Sequence, residues 1–183
     1  MTAQTIHANG IDLNVQLDGQ AGNPWIVLSN SLGSSLAMWD KQIELLTSKY
    51  RVLRYDTRGH GASSTPPGDY SFDHLMGDVI ALMDHFDIDK SQFMGLSMGG
   101  MTGMGLALHH PTRFNSIICC DARGDGPEGF RNSWDDRAAV IREKGMAALV
   151  DSTLERWLTE KTRTERPADA RLLADMVAST DPN

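Results

Sequence analysis

The chain has 183 residues, 40% hydrophobic and 22% charged, with a formal net charge of −7; that is enough to bury one solid globular core and not clearly two. The acidic surface argues against nucleic acid or an anionic membrane face as partner, no apolar run approaches a membrane span, and Met1 to Gly10 lacks the basic-then-apolar order of a signal peptide. Cys119 and Cys120 are neighbours whose side chains would point to opposite faces of a strand, so a framework disulfide is not expected and a cytoplasmic location is the simplest reading.

Taken in chain order, Thr5 to Ala8 and Asp12 to Asp18 are predicted strands around the turn Asn9-Gly10, whose residues tolerate positive φ. Trp25 to Ser29 is an apolar run after Gly22-Asn23-Pro24 and predicts a buried strand. A glycine-bearing loop, Asn30 to Ser35, leads to a predicted helix over Met38 to Tyr50. The next strand is Arg51 to Tyr55, followed by a loop rich in Gly, Pro and Ser up to Asp69. Ser71 to Phe86 carries Leu75, Val79, Leu82 and Phe86 on one helical stripe. Gln92 to Gly95 predicts a strand, Met98 to His110 a helix and Phe114 to Cys120 a strand. Strands alternating with helices imply a mostly parallel sheet covered on both faces. After Asp121 the pattern changes: a Gly, Asp and Pro rich linker runs to Gly129. Three predicted helices follow, Trp134 to Lys144, Met146 to Leu158 and Ala168 to Ser179.

The strongest chemical signal is Gly95-Leu96-Ser97-Met98-Gly99, placed between a predicted strand and a predicted helix. A strand reversing sharply into a helix brings two backbones together, and only small residues fit two before and two after the turn. The serine then projects above the sheet as a nucleophile, and the free N–H groups of the helix start face a developing oxyanion. A dinucleotide fingerprint is the rival reading of these glycines. The spacing is not G-x-G-x-x-G, and the glycines follow the fifth predicted strand instead of opening the domain.

The segments Ser29 to Gly33, Met38-Trp39-Asp40, Tyr55 to Gly61, Gly95 to Met101, Gly145 to Val150 and Thr153 to Trp157 together resemble the 3-oxoadipate enol-lactonases, a family of α/β-hydrolases. The resemblance covers nearly the whole chain. The stretch Asp121 to Asn132 departs from the pattern. The resemblance implies an α/β-hydrolase fold with a mostly parallel sheet, ending before its last strands. Residues 1–130 would form the core, and residues 131–183 part of a helical cap. It implies a hydrolase that opens a small lactone through an acyl-enzyme on Ser97, with no metal or organic cofactor. The oxyanion donors would be the backbone amides of Leu32 and Met98. A lactone bearing a carboxylate calls for a cation, and Arg123, Arg131 and Arg137, with Trp134, are the substrate-binding candidates.

An acid and then a histidine should follow Ser97 in such a fold. Only His109 and His110 do so. They lie on the serine's own helix, roughly 18 Å along its axis, and cannot reach the hydroxyl. His60, in the turn Arg58-Gly59-His60-Gly61, is expected to hold loops by hydrogen bonds. Three functional classes fit this incomplete triad: part of a lactonase, carboxylesterase or carbon–carbon bond hydrolase; a binding protein that kept the pocket and lost its base; or one subunit of a split enzyme. With no later strand beside it, Phe114 to Cys120 should lie at the sheet edge and favour self-association. Met146, Leu149, Leu154, Trp157, Leu172 and Met176 should be partly exposed.

Overall fold

The computed structural model describes residues 3–182. These form two compact units, divided after Gly124. The boundary expected between residues 130 and 131 falls instead inside the first helix of the second unit.

The first unit is a six-stranded sheet in the order β1-β2-β4-β3-β5-β6. Its strands are β1 (Gln4–Ala8), β2 (Ile11–Asp18), β3 (Trp25–Ser29), β4 (Arg51–Tyr55), β5 (Ser91–Leu96) and β6 (Phe114–Cys120). β1 and β2 form a hairpin closed by Asn9 and Gly10, at φ 49° and 76°. Two successive positive φ values make the tight turn whose twist matches that of the strands. β2 runs antiparallel to β4, and β4, β3, β5 and β6 are parallel.

Three helices, α1 (Asp40–Thr47), α2 (Phe72–His85) and α3 (Met98–His109), connect the strands. The helix expected over Met38 to Tyr50 is a 3₁₀ turn, Leu36–Trp39, followed by α1. Alternation along the strands sends side chains to two faces. Leu13, Val15, Val27, Leu53 and Phe93 pack with Val79, Leu82 and Met83 of α2 and Leu106 of α3. Ile26, Leu28 and Val52 turn the other way, onto Trp39 with Ile43 and Leu46 of α1. Ser71 starts α2 with a capping box, its Oγ accepting from the His74 amide and its own amide donating to His74 Nδ1.

Among the described residues β6 pairs only with β5, so it forms one edge of the sheet. Ile118 on it is 46% exposed. Cys119 and Cys120 are both free thiols.

The second unit is helical: α4 (Glu128–Lys144), a 3₁₀ turn (Met146–Leu149), α5 (Val150–Trp157), α6 (Glu160–Glu165) and α7 (Pro167–Ser179). α4 starts before the expected Trp134, and the expected helix over Met146 to Leu158 is a 3₁₀ turn plus α5. α7 packs against that turn, α5 and α6. Met176, expected to be exposed, is buried on α7, whereas Leu172 is exposed. No helix among the described residues is long and apolar enough to cross a membrane.

Candidate active site

Ser97 sits between the end of β5 and the start of α3 with φ 53° and ψ −111°. A non-glycine residue in that region is strained, and such strain collects at functional sites. The surrounding glycines are there for steric reasons. A Cβ on Gly95 would come 2.2 Å from the backbone carbon of Gly99, and one on Gly99 would come 2.3 Å from the carbonyl oxygen of Ser29. One on Gly100 would meet the Ala122 Cβ at 2.6 Å. The turn is also tied to its neighbours by hydrogen bonds. The Ser97 amide donates to the Cys120 carbonyl at 2.9 Å, and the Gly99 amide to the Asn30 carbonyl at 3.0 Å.

The second of those bonds brings the loop after β3 to the elbow. Ser29 pairs in register with Gly95, so residues 30–36 leave the sheet beside the strand that carries Ser97. That loop is anchored along its length. Asn30 is fully buried; its amide group donates to the Tyr55 carbonyl at 2.8 Å and its side-chain oxygen accepts from Trp39 Nε1 at 2.9 Å. The Gly33 amide donates to His60 Nε2 at 3.0 Å. Ser34 Oγ donates to the Ser31 carbonyl, and the Leu36 amide donates to Asp56 Oδ1, both at 2.7 Å. Leu32, between these anchors, is 38% exposed. Met98 is the first residue of α3, where amides have no intrahelical acceptor.

Asp56 and Arg58 hold the opposing loop. The second oxygen of Asp56 accepts from Asn14 Nδ2 at 2.7 Å and the Ala62 amide at 2.9 Å. Arg58 makes a two-pronged, buried pair with Asp78, at 2.7 and 2.6 Å, and that pairing raises the Arg58 pKa against the opposing effect of burial. His60 is buried and, as expected, holds loops by hydrogen bonds. Burial pushes its pKa below the ordinary histidine value. The sequence reading missed Asn30 and Asp56. The available signal was a polar residue placed immediately after an otherwise buried apolar strand.

The four substrate-binding candidates are divided between the units. Arg123 closes the first unit, just beyond β6, while Arg131, Trp134 and Arg137 lie on α4 in the second. Arg137 stacks on the Trp134 ring, 4.4 Å from its centroid, and Trp134 meets Phe130 edge-on at 5.9 Å. Burial, and then the nearby Arg156 charge, lower the Arg137 pKa.

A surface cavity of about 410 Å³ lined by Asp84, Asp87, Ile88, Asp89 and Arg113 lies near the amino-terminal ends of β5 and β6, away from Ser97. Arg113 is engaged there with the Asp84 carboxylate and the Ile88 and Asp89 carbonyls. Among the described residues no cluster of three or more His, Cys, Asp or Glu side chains could hold a metal ion.

Residues 24–178 match the α/β-hydrolase fold family. The chain belongs to that family. As an α/β-hydrolase it is 46% identical over 155 residues to 3-oxoadipate enol-lactonase 2 of Acinetobacter baylyi, covering 85% of this chain and 57% of that protein. The crystal structure of the enol-lactonase from Burkholderia xenovorans LB400 superposes with a TM-score of 0.92 at 42% identity, over 98% of this chain and 69% of that one. A thermophilic esterase from Thermogutta terrifontis superposes with a TM-score of 0.89 at 25% identity, over 100% of this chain and 68% of that one. The α/β-hydrolase chain thus spans somewhat over half the length of the curated enol-lactonases it matches, 57% and 56%.

Proposed function

We propose that this α/β-hydrolase chain carries the nucleophile and the oxyanion loop of a serine hydrolase that opens a small carboxylate-bearing lactone. The carrying observation is the strained Ser97 at a strand-to-helix turn, with the loop after β3 bonded to that turn through Gly99 and Asn30. In the reaction Ser97 Oγ attacks the lactone carbonyl and its proton passes to a base. The oxyanion that forms is held by the Leu32 and Met98 amides. The ring C–O bond then breaks, the enol oxygen takes the proton, and the product relaxes to a ketone. Water hydrolyses the acyl-enzyme in a second, matching step. This chemistry needs no metal or organic cofactor. On this reading none of the six histidines of the chain is the base, and an acid and a histidine supplied from elsewhere in the polypeptide or by a second subunit would complete the triad.

The likeness to enol-lactonases supports the lactone substrate, and the likeness to an esterase supports simple carboxylic esters as the runner-up. For the substrate carboxylate we favour Arg137. A guanidinium fixed on Trp134 and repelled by Arg156 gains most from a bound anion. Arg123 and Arg131 are the alternatives. Residues 131–183 would serve as part of a helical cap. Incubation with an activated aryl ester should leave a single, slowly formed acyl group on Ser97, located by peptide mass spectrometry and absent in Ser97→Ala. An acyl group on another residue, or equal labelling of the variant, would sink the assignment.

The edge strand supports self-association. Among the described residues β6 is strand-paired on one side only, with a half-exposed Ile118 on it, and such edges recruit strands. Size-exclusion with light scattering should find dimers or larger species at micromolar concentration, and Ile118→Lys should shift them towards monomer. A monodisperse monomer of the unmodified chain would rule this out. The free cysteines and the acidic charge fit a cytoplasmic protein.

A further inference from the structure

No step of the proposed acyl transfer uses His60, yet its imidazole touches the loop that carries Leu32. Nε2 lies 3.0 Å from the Gly33 amide and Nδ1 lies 3.0 Å from the Arg58 carbonyl oxygen. An amide N–H can only donate and a carbonyl oxygen can only accept. The two contacts therefore select one neutral tautomer, with the proton on Nδ1 and the lone pair of Nε2 facing Gly33. A second proton on the ring would replace that hydrogen bond by two N–H groups facing each other. None of the residues 30–36 is titratable, so nothing on the loop can relieve the clash. The charged groups nearby are already committed. Asp56 accepts from Leu36, Asn14 and Ala62, and the Arg58 guanidinium is bound to Asp78 with the Tyr70 ring beside it.

We infer that His60 is a positioning residue for the oxyanion loop: its neutral imidazole holds Gly33, and through it the Leu32 amide, and lets both go on protonation. The use made of Leu32 rests on the serine-hydrolase reading, whereas the hold on Gly33 rests on hydrogen-bond geometry. The sign of the pH effect follows from burial, which lowers the His60 pKa from its ordinary 6.5 in the closed loop. Above that value neither the closed nor the opened loop binds the proton, and the hold is complete. Below it the opened loop takes a proton that the closed loop refuses. Each further unit of pH then favours opening by up to about tenfold, until the lowered value is reached. An enzyme built on this loop would show an acid limb that belongs to His60 and is separate from that of its general base.

Hydrogen exchange followed by NMR on the 183-residue chain tests this without turnover. The protection factor of the Gly33 amide should fall by roughly tenfold between about pH 7 and pH 5.5, while those of Val27 in β3 and Phe93 in β5 hold steady. His60→Leu should lower Gly33 protection about tenfold at neutral pH and abolish its pH dependence. His60→Gln, whose side-chain oxygen can accept from the same amide, should restore part of the protection and none of the pH dependence. Gly33 protection that ignores both pH and substitution overturns the inference. If His60→Leu does not fold, the pH series of the unmodified chain and His60→Gln decide the matter. A Ser97→Ala variant that keeps its reaction with esters would defeat the serine reading and leave the Gly33 result standing on its own.

Discussion

Supplied with lactones or carboxylic esters, these 183 residues should react on the order of 10⁶ more slowly than a serine hydrolase with its base in place. The expectation follows from where the six histidines of the chain lie. His7 is exposed on β1 and sits 2.7 Å from Asp12. His60 is buried with both ring nitrogens engaged. His74 closes the capping box of α2, and His85 stacks edge-on against Phe86 at the end of the same helix. His109 and His110 lie at the far end of α3, roughly 18 Å along the axis from Ser97. Among the described residues, none of the contacts these histidines make is with Ser97. If the Leu32 and Met98 amides form the proposed oxyanion hole, a slight rate above that of water should remain, since an oxyanion hole alone retains some catalysis. The measurement is hydrolysis of a panel of lactones and aryl esters by the purified chain, with Ser97→Ala as the blank. Ordinary enzyme rates would mean that a base exists among these residues.

Asp78→Ala should cost the first unit about 3–5 kcal/mol, the usual penalty for removing one partner of a buried ion pair. The side chains of Arg58 and Asp78 are 5% and 1% exposed, so solvent cannot replace the lost carboxylate. Asn9 Nδ2, which donates to Asp78 at 2.8 Å, would lose the shorter of its two hydrogen bonds and keep the one to the His74 carbonyl at 3.3 Å. Arg58 leads directly into the turn that holds His60 against Gly33, so the damage should reach the oxyanion loop. Urea unfolding followed by far-UV circular dichroism reads the change as a lowered midpoint. Asp78→Asn should be milder, because an amide keeps one acceptor for the guanidinium while losing the charge. A midpoint unchanged in Asp78→Ala would show that water reaches Arg58 and that the pair contributes little.

The parts of this protein that rest on neighbours in sequence could be read from the sequence. The elbow is one in part: a Cβ on Gly95 would strike Gly99 four residues on, so that half of the motif announces its own geometry, whereas Gly99 is kept small by Ser29 and Asn30 on a neighbouring strand and loop. The Asn9-Gly10 hairpin and the strand Phe114–Cys120 were legible for the same reason, through turn chemistry and an apolar run with clear limits. The helices of the second unit were read less well. Gly129, Asn132 and Ser133 are weak helix formers and point to a start at Trp134, yet α4 runs through them from Glu128. α6 went unread because Glu160–Glu165 offers no apolar stripe to give it a period.

What only the tertiary structure decided is how the candidate site is held. Asn30 meets Tyr55 and Trp39, Gly33 meets His60, and Arg58 meets Asp78, each across many residues of chain. The first two sets of contacts exist because the sheet places β3 between β4 and β5, so that the loops leaving those strands converge at one end, and the third because α2, which carries Asp78, packs beside the turn that holds Arg58. Sequence determines which residues can donate, accept or fit at a turn. Strand order determines which of them meet, because a hydrogen bond between loops depends on the packing that brings the loops together and leaves no period or spacing along the chain.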